Sequence, residues 1–204
     1  PRSSHVIMWA QRGRHLRITG GQLRGRSVAC PDGLDVRPTS SKVRQAFFNI
    51  LGTRIDGALF LDLFAGSGLM GFEALSRGAR GVTFVEENKA QATSIKKSSV
   101  IFKVPAEADV VISDVRRVWP HIAVAGAKYD IVFADPPYKK GYGKQILAGL
   151  VEYKLLAPDS LVIIEHNRDD LIEVDNLIEV HDARLVKVDY REYGKSALSF
   201  FSFD

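Results

Sequence analysis

The sequence predicts an α/β protein with a mostly parallel sheet that is finished by an antiparallel hairpin. Short apolar runs alternate with helical stretches from residue 58 onward, and this alternation is typical of parallel strands with right-handed crossovers. The last two strands are joined by a short turn at Tyr193-Gly194-Lys195, so one of them must run antiparallel. With 204 residues, of which 46% are hydrophobic and 25% charged, the chain can bury one good core.

Seven strands and four main helices are predicted. The first five strands are short apolar runs bounded by turns, and the last two form the closing hairpin. The predicted strands cover residues 58–63, 81–85, 108–113, 129–134, 161–164, 183–190 and 197–203. The spacing of apolar residues predicts helices over 41–51, 69–77, 88–101 and 145–156, the last of them ended by Pro158.

A basic segment precedes this sheet. Residues 1–54 hold ten Arg and Lys side chains against two acids, a net charge of +8, whereas the 18 bases and 22 acids of residues 55–204 leave a charge of −4. Most of the bases are arginines, which bind phosphate in a bidentate manner. We therefore predict a basic extension over 1–54 that meets a polyanion, and a ligand-binding domain over 55–204. The alternative is a solvated flank with no partner.

The extension is predicted to contain a hairpin and a helix. Apolar and basic residues alternate through 15–28 around Gly20-Gly21, which indicates a hairpin. Its basic face would carry Arg17, Arg24 and Arg26. In the following helix the apolar side chains keep a helical spacing, and Lys42 and Arg44 lie off that apolar stripe. We therefore expect Lys42 and Arg44 to be available to solvent or phosphate.

Composition argues against several classes of protein. No apolar run reaches the ~18 residues of a membrane span, and residues 1–14 lack the apolar core of a secretory signal. Cys30 is the only cysteine of the chain, so we expect neither a disulfide framework nor a zinc cluster. These features predict a protein of a reducing cytoplasm that needs no metal ion.

A glycine-rich turn follows the first strand of the domain. Gly66, Gly68 and Gly71 form the pattern G-x-G-x-x-G between a strand and a helix, where glycines let a nucleotide approach the backbone. Glu86 ends the next strand, 20 residues after Gly66, and a carboxylate there can accept hydrogen bonds from both ribose hydroxyls. The pattern alone is compatible with a nicotinamide dinucleotide and with an adenosyl cofactor.

Two further acids favour S-adenosylmethionine over a dinucleotide. Asp62 lies at the mouth of the turn, where its charge would repel a pyrophosphate but attract the ammonium group of a methionine moiety. Asp114 ends the third strand and could accept a hydrogen bond from an adenine amino group. The chain also offers no second nucleotide-binding half. S-adenosylmethionine carries no phosphate, so an acid-lined pocket suits it.

The fourth strand of the domain ends at Asp135-Pro136-Pro137-Tyr138, because neither proline can donate to a sheet ladder. Ligands of open α/β sheets bind at the carboxyl ends of strands. The exocyclic amine of a purine is a poor nucleophile. Hydrogen bonds from it to the Asp135 carboxylate and the Pro136 carbonyl would free its lone pair. Tyr138 would offer an aromatic face to an unstacked base.

These motifs resemble, in order and spacing, those of class I S-adenosylmethionine-dependent methyltransferases. From residue 16 to 203 the chain is also similar to the RsmD family, whose members methylate the N2 amine of a guanine in 16S ribosomal RNA. The further motifs that carry this similarity are Arg17-Ile18-Thr19-Gly20-Gly21, Leu23-Arg24-Gly25-Arg26, Arg37-Pro38-Thr39, residues 43–51, residues 73–79 and Tyr193-Gly194. The chain departs from the family pattern at Gln45, where Glu is expected, and at Phe102 and Pro105, where a polar loop is expected.

The resemblance implies a Rossmann-like methyltransferase sheet, a basic extension in contact with RNA, and three sets of site residues. The implied catalytic residues are Asp135, Pro136 and Tyr138. The implied cofactor-binding residues are Asp62, Phe64, Ala65, Gly66, Ser67, Gly68, Glu86, Asp114, Val115 and Thr39. The implied RNA-binding residues are Arg17, Arg24, Arg26, Arg37, Lys42, Arg44, Lys139 and Lys140.

Two other functions share these features. DNA adenine N6-methyltransferases carry the same Asp-Pro-Pro-Tyr motif, but they usually need a separate target-recognition segment, and only the basic N-terminal segment of about 54 residues is available here. A non-catalytic RNA-binding assembly factor could keep the same scaffold, although the intact glycine turn and Asp135 argue against it. We expect a cytoplasmic monomer whose partner is 16S rRNA, within the small ribosomal subunit, with no membrane and no metal.

Overall fold

The computed structural model describes residues 16–29, 41–137, 141–169, 177–180 and 183–203. Its strands are β1 Leu16–Arg17, β2 Ser27–Val28, β3 Leu59–Leu63, β4 Gly81–Glu86, β5 Ala108–Ile112, β6 Tyr129–Ala134, β7 Leu156–Asn167, β8 Leu177–Val180, β9 Ala183–Tyr193 and β10 Ser196–Phe203. Its helices are α1 Ser41–Leu51, α2 Leu69–Ser76, α3 Lys89–Phe102, α4 Trp119–Val124 and α5 Tyr142–Glu152, with a short 3-10 helix at Gly52–Ile55. In this part of the chain no helix is both long enough and apolar enough to cross a membrane.

Eight strands form one sheet in the order β5-β4-β3-β6-β7-β10-β9-β8. The strands from β3 to β7 are parallel to one another. β10 runs antiparallel between β7 and β9, and β8 pairs antiparallel with β9 at the sheet edge. The predicted fold class, a mostly parallel sheet with an antiparallel hairpin at its end, is confirmed. β8 is an edge strand beyond the seven that were predicted, and α4 was not predicted either.

The end of α5 differs from the predicted helix over 145–156. The helix stops at Glu152, because Lys154 adopts a left-handed backbone with φ of 52°. The N–H of Leu155 then donates to the Leu150 carbonyl at 2.9 Å, which is the Schellman pattern of a helix end. Lysine occupies the position that glycine usually fills, so the sequence gives no stop signal at this point.

Pro158 lies inside β7 and does not mark the helix end as predicted. Tyr129 of β6 pairs with Leu156, but the next pair joins Ile131 to Leu161, so the residues between them on β7 bulge out of the ladder. A proline is tolerated at such an irregularity because no ladder hydrogen bond is lost.

The N-terminal hairpin is confirmed, but its turn is not at Gly20-Gly21. β1 and β2 pair antiparallel, and the turn between them lies at residues 22–25. Gly21 has a left-handed backbone (φ 74°) and lies so close to α2 that a Cβ would stand 1.7 Å from the Ser76 carbonyl oxygen. Glycine is therefore needed there for close packing against α2.

The extension shares a hydrophobic core with the sheet. Ile18, Val28 and Phe47 are buried in the same cluster as Phe60 and Phe133. The ring of Phe47 in α1 packs edge-on against Phe133 in β6, with the ring centroids 5.2 Å apart. A second cluster covers the other face of the sheet. The division of the chain at residue 54 stays a prediction.

Candidate active site

The glycine turn lies at the point where the strand order of the sheet reverses. β3 has β4 on one side and β6 on the other, so successive crossovers diverge and a crevice opens at the carboxyl ends of the strands. Gly66 and Gly68 have left-handed backbones with φ of 55° and 78°. Phe64, just after β3, also has a positive φ of 61°, an uncommon conformation for an aromatic residue that is often found at functional sites.

Two glycines of the motif, one just before α2 and one within it, allow α2 to pack closely against β4 and α3. A Cβ on Gly71 would stand 2.2 Å from the Phe84 ring, and a Cβ on Gly68 would stand 3.0 Å from Ile95. The turn is closed by a hydrogen bond from the Gly68 N–H to the Ala65 carbonyl at 2.7 Å. Ser67, within the turn, is buried. The third glycine of the motif therefore serves helix–strand packing.

Glu86, at the end of β4, holds the turn in place. Its Oε2 accepts from the Gly66 N–H at 2.7 Å, and its Oε1 accepts from the Asn88 N–H at 2.8 Å. Burial raises the pKa of the Glu86 carboxyl, and the hydrogen bonds from Asn88 and Gly66 oppose that rise. The residue predicted to bind a ribose thus also fixes the backbone that would face the cofactor.

Two residues of α3 complete this arrangement and were not predicted. Asn88 caps the helix, because its side chain accepts from the N–H groups of Ala90 and Gln91. The Gln91 side-chain amide, with its nitrogen turned toward the site, donates to the Gly66 carbonyl at 3.1 Å and to Glu86 Oε2 at 3.3 Å. The capping pattern of Asn88 is a signal that the sequence does contain, whereas the role of Gln91 depends on tertiary contacts.

Asp62 is a buried carboxylate within β3. Its Oδ2 accepts from the Gly71 N–H at 3.0 Å. Burial raises the pKa of Asp62 to about 7, against an opposing effect of the Gly71 hydrogen bond, and the charge of Glu86 adds to the rise. A cation placed beside Asp62 would favour its ionised form.

Asp114 follows β5 and is engaged by a residue that was not predicted. The Nε of Arg116 lies 3.0 Å from both carboxylate oxygens, and the Arg116 N–H donates to Oδ1 at 2.8 Å. Hydrogen bonding to Arg116 holds the pKa of Asp114 below its usual range. An adenine amine that donated to Asp114 would therefore share its carboxylate with the exposed guanidinium of Arg116. The adjacent Val115 is buried.

Asp135 and Pro136 follow the last residue of β6. Asp135 is half-buried and Pro136 is buried, whereas Pro137 is exposed. Across the crevice, the ring of Phe64 packs against Tyr142 at the start of α5, with 5.2 Å between the ring centroids. Tyr142 thus links the turn after β3 to the helix that follows the Asp-Pro-Pro segment.

The structure contradicts one of the predicted RNA contacts. Arg44 is not available to phosphate, since it is buried and its Nε lies 3.2 Å from Glu73 Oε2. Its Nη2 also donates to the Arg17 carbonyl at 2.8 Å. The prediction was wrong because the stripe of α1 that carries Arg44 packs against α2. The other described members of the set are exposed, namely Arg17, Arg24, Arg26 and Lys42.

Several predicted site residues lie outside the described part of the chain. They are Arg37, Thr39, Tyr138, Lys139 and Lys140. Among the described residues, no group of three or more His, Cys, Asp or Glu side chains could hold a metal ion.

This sheet, with its glycine turn and strand-end acids, defines the fold of class I methyltransferases. A structure described as "Putative methyltransferase yhhF from Escherichia coli" superposes with a TM-score of 0.76 at 30% sequence identity, covering 92% of this chain and 97% of that one. The model of the family "Conserved hypothetical protein 95" matches residues 16–202. The chain belongs to this family, the RsmD family.

Curated relatives cover most of the chain. The protein "Ribosomal RNA small subunit methyltransferase D" of Escherichia coli (strain K12) is 36% identical over 184 residues, which make up 89% of this chain and 91% of the relative. The protein of the same name from Haemophilus influenzae is 35% identical over 179 residues, or 87% of this chain and 93% of the relative.

Proposed function

We propose that this chain transfers a methyl group from S-adenosylmethionine to the N2 amine of a guanine in 16S ribosomal RNA. One observation carries the proposal: Leu63 of β3 pairs with Ala134 of β6 in parallel register. The turn that begins at Phe64 and the segment that begins at Asp135 therefore start next to each other, at the ends of neighbouring strands whose backbones are about 4.8 Å apart. A methyl donor on the turn and an amine on Asp135 would meet between them.

The residues around the turn suit S-adenosylmethionine, which supplies an electrophilic methyl group on a sulfonium sulfur. Asp62 would pair with the ammonium group of the methionine part. Glu86 would accept from the ribose hydroxyls, because a carboxylate oxygen that accepts one hydrogen bond can accept a second. Asp114 would accept from the adenine amine. Further contacts are assigned to Phe64, Ala65, Gly66, Ser67, Gly68, Val115 and Thr39.

Asp135 and Pro136 would prepare the target amine. The lone pair of N2 is delocalised into the purine ring, so N2 attacks a methyl carbon poorly. When the Asp135 carboxylate and the Pro136 carbonyl accept its two N–H groups, the nitrogen can become pyramidal and direct its lone pair at that carbon. The new nitrogen–carbon bond forms as the carbon–sulfur bond breaks, and the proton lost from nitrogen passes to Asp135.

Rigid positioning of the reactants would provide most of the rate enhancement. The two prolines fix the backbone that carries the acceptors, and aligned reactants gain about 7–11 kcal/mol relative to free collision. Tyr138 would stack on the target base, which must first leave the RNA stack. Stacking on an aromatic ring contributes about 1–3 kcal/mol per base.

Two observations support RNA as the substrate: the names of the curated relatives, and the exposed arginine side chains of the N-terminal hairpin. The finer assignment to the N2 amine of guanine depends on the resemblance to RsmD proteins. The remaining predicted contacts, Arg37, Lys139 and Lys140, would bind phosphates near the pocket. We infer that the protein is cytoplasmic, acts as a monomer and meets its RNA in the small ribosomal subunit.

The test is to incubate the protein and labelled S-adenosylmethionine with small ribosomal subunits, with naked 16S rRNA and with duplex DNA. Nucleosides from each reaction are then separated and weighed by mass spectrometry. The proposal predicts N2-methylguanosine from one or both RNA samples. N6-methyladenine from the DNA would instead identify a DNA methyltransferase. Absence of any binding of S-adenosylmethionine in calorimetry would favour a non-catalytic assembly factor.

A further inference from the structure

The exposed face of α3 carries a line of lysines. Lys89, Lys96 and the capping residue Lys103 recur every seven residues, which is almost two helical turns, so they lie along one side of the helix about 10.5 Å apart. Lys97 lies beside this line, and all four lysines are exposed. The 14 residues of α3 include no acid. We call Lys89, Lys96, Lys97 and Lys103 the α3 lysine stripe.

The other face of α3 is anchored in the core, so the α3 lysine stripe keeps its orientation. Ile95 and Phe102 are buried among the apolar side chains of the sheet, and the Phe102 ring packs against Phe72 of α2 at 5.1 Å between centroids. Gln91, on the same inner face, is buried beside Glu86.

The stripe begins beside the candidate active site. Asn88, which caps α3, donates its N–H to Glu86 at 2.8 Å, and Lys89 is the next residue. The first lysine of the stripe is thus three positions along the chain from the carboxylate that would hold the cofactor ribose.

The stripe ends at the N-terminal hairpin. The Arg26 guanidinium donates to the Ile101 carbonyl at 3.4 Å and lies 5.7 Å from the centre of the Phe102 ring. Ser94, in the middle of α3, donates its hydroxyl to the Ala29 carbonyl at 3.0 Å. Ala29, directly after β2, therefore lies against the middle of α3. The exposed Arg26 therefore adds a positive charge close to the last lysine of the stripe, and the nearby hairpin residue Arg24 is exposed as well.

The contact between Arg26 and Ile101 lies far from the candidate active site. α3 has 14 residues, so the hairpin end of the helix lies about 21 Å from the end at the active site. The Arg26 guanidinium, which contacts Ile101 at that far end, is therefore too distant to contact a base held beside Glu86. A nucleic acid that followed α3 from the pocket to Arg26 would run past the α3 lysine stripe.

We propose that the α3 lysine stripe binds phosphates of the substrate RNA and joins the pocket to the hairpin in one continuous basic track. The inference builds on the proposed function, since it needs an RNA substrate. Exposed acids near the ends of α3, Glu87 and Glu107, leave an excess of two positive charges over the stripe. Flexible lysine ammonium groups suit contacts with phosphate that carry no sequence information.

The experiment compares two double variants of equal charge. Lys96→Gln with Lys97→Gln removes the middle of the stripe. Lys128→Gln with Lys154→Gln removes two exposed lysines that belong to neither the stripe nor the candidate site. Dissociation constants are measured for naked 16S rRNA and for a mixed-sequence single-stranded RNA across a series of KCl concentrations. Thermal unfolding confirms that each variant is folded.

The stripe variant should bind both RNAs more weakly, and the slope of its log affinity against log salt should be shallower by about 1.4, or ~0.7 for each lost phosphate contact. The control variant should keep the wild-type slope. Equal slopes for wild type and the stripe variant, or equal changes in both variants, would overturn the inference.

The same samples separate this inference from the proposed function. If the wild-type protein binds single-stranded RNA through the stripe but yields no methylated nucleoside from either naked 16S rRNA or small ribosomal subunits, the inference about the α3 lysine stripe is supported and the proposed function fails. If 16S rRNA is methylated and the stripe variant keeps the wild-type salt slope, the proposed function stands and the stripe fails.

Discussion

Arg44 of α1 and Glu73 of α2 form a fully buried ion pair, with 3.2 Å between Arg44 Nε and Glu73 Oε2. Glu73 also accepts from the Thr19 N–H and the Thr19 hydroxyl at 2.7 Å and from Arg77 Nε at 2.9 Å. One carboxylate on α2 therefore ties the hairpin and α1 to the helix that follows the glycine turn. This network brings three of the segments that resemble the RsmD family, Arg17–Gly21, residues 43–51 and residues 73–79, into direct contact.

Glu73→Ala should destabilise the protein strongly. The change leaves the Arg44 guanidinium buried without its carboxylate, which costs about 3–5 kcal/mol of the free energy of unfolding. Chemical denaturation measures this loss. The exposed helical acid Glu152 provides the control, since Glu152→Ala should change the free energy of unfolding by less than about 0.5 kcal/mol. Similar values for the two variants would contradict a structural role for the network.

Gly21→Ala should destabilise the protein more than Gly25→Ala. Both glycines have left-handed backbones, at φ of 74° and 82°, so both substitutions carry the cost of that conformation, about 1–2 kcal/mol. A Cβ on Gly21 would also collide with the Ser76 carbonyl, whereas a Cβ on Gly25 has nothing within 4 Å. Equal losses in denaturation midpoint would show that the close contact between Gly21 and α2 does not form.

The sequence could predict the centre of the sheet and the residues that end its strands. Apolar runs and the glycine turn were enough to locate β3, β4 and β6 and the acids Asp62 and Glu86, because these features depend on neighbouring residues alone. Asp135 was found for the same reason, since the prolines that stop β6 follow it directly.

Other features depend on partners far along the chain. Arg44 has the spacing of an exposed helical residue, and its burial becomes visible only when Glu73, 29 residues away, is placed beside it. The sequence does not predict the end of α5 correctly, because the left-handed residue that ends the helix is Lys154 and not a glycine. The sequence predicts a turn at Gly20-Gly21. In the structure, glycine is needed at residue 21 because a Cβ there would collide with the Ser76 carbonyl of α2.

Asp62 should make stability depend on pH. Its pKa is about 7 in the folded protein, raised mainly by burial, and 3.8 is the ordinary value for the unfolded chain. The folded state thus holds the proton more tightly between pH 4 and 7, so the free energy of unfolding should increase as the pH falls through this range. Glu86 is shifted in the same direction.

The difference between wild type and Asp62→Asn isolates the contribution of Asp62. We expect wild-type stability to rise relative to the variant by a few kcal/mol, on the order of 1.4 kcal/mol per unit of pKa shift, between pH 7 and pH 4. Parallel stability curves for the two proteins would show that Asp62 ionises normally. Wild-type affinity for S-adenosylhomocysteine should also fall below pH 7, since the proposed ion pair with the ammonium group would require the ionised carboxylate of Asp62.

Glu86→Gln should weaken cofactor binding. The change removes the charge that would accept from ribose, and it replaces one of the two oxygens that fix Gly66 and Asn88. Loss of a hydrogen bond to a charged group costs about 1.5–3 kcal/mol, so the affinity for S-adenosylhomocysteine in calorimetry should fall at least tenfold. Glu87→Gln changes the adjacent exposed acid and should leave the affinity intact.

The most direct test of the account is methyl transfer to 16S rRNA by an Asp135→Ala variant whose binding of S-adenosylhomocysteine has first been measured by calorimetry. Removal of a preorganised hydrogen-bond partner of a reacting group lowers turnover by about 10²–10³. We predict that the variant binds S-adenosylhomocysteine as the wild type does and forms N2-methylguanosine at no more than about a hundredth of the wild-type rate. Wild-type turnover in this variant would contradict the assignment of Asp135 as the acceptor that activates the target amine.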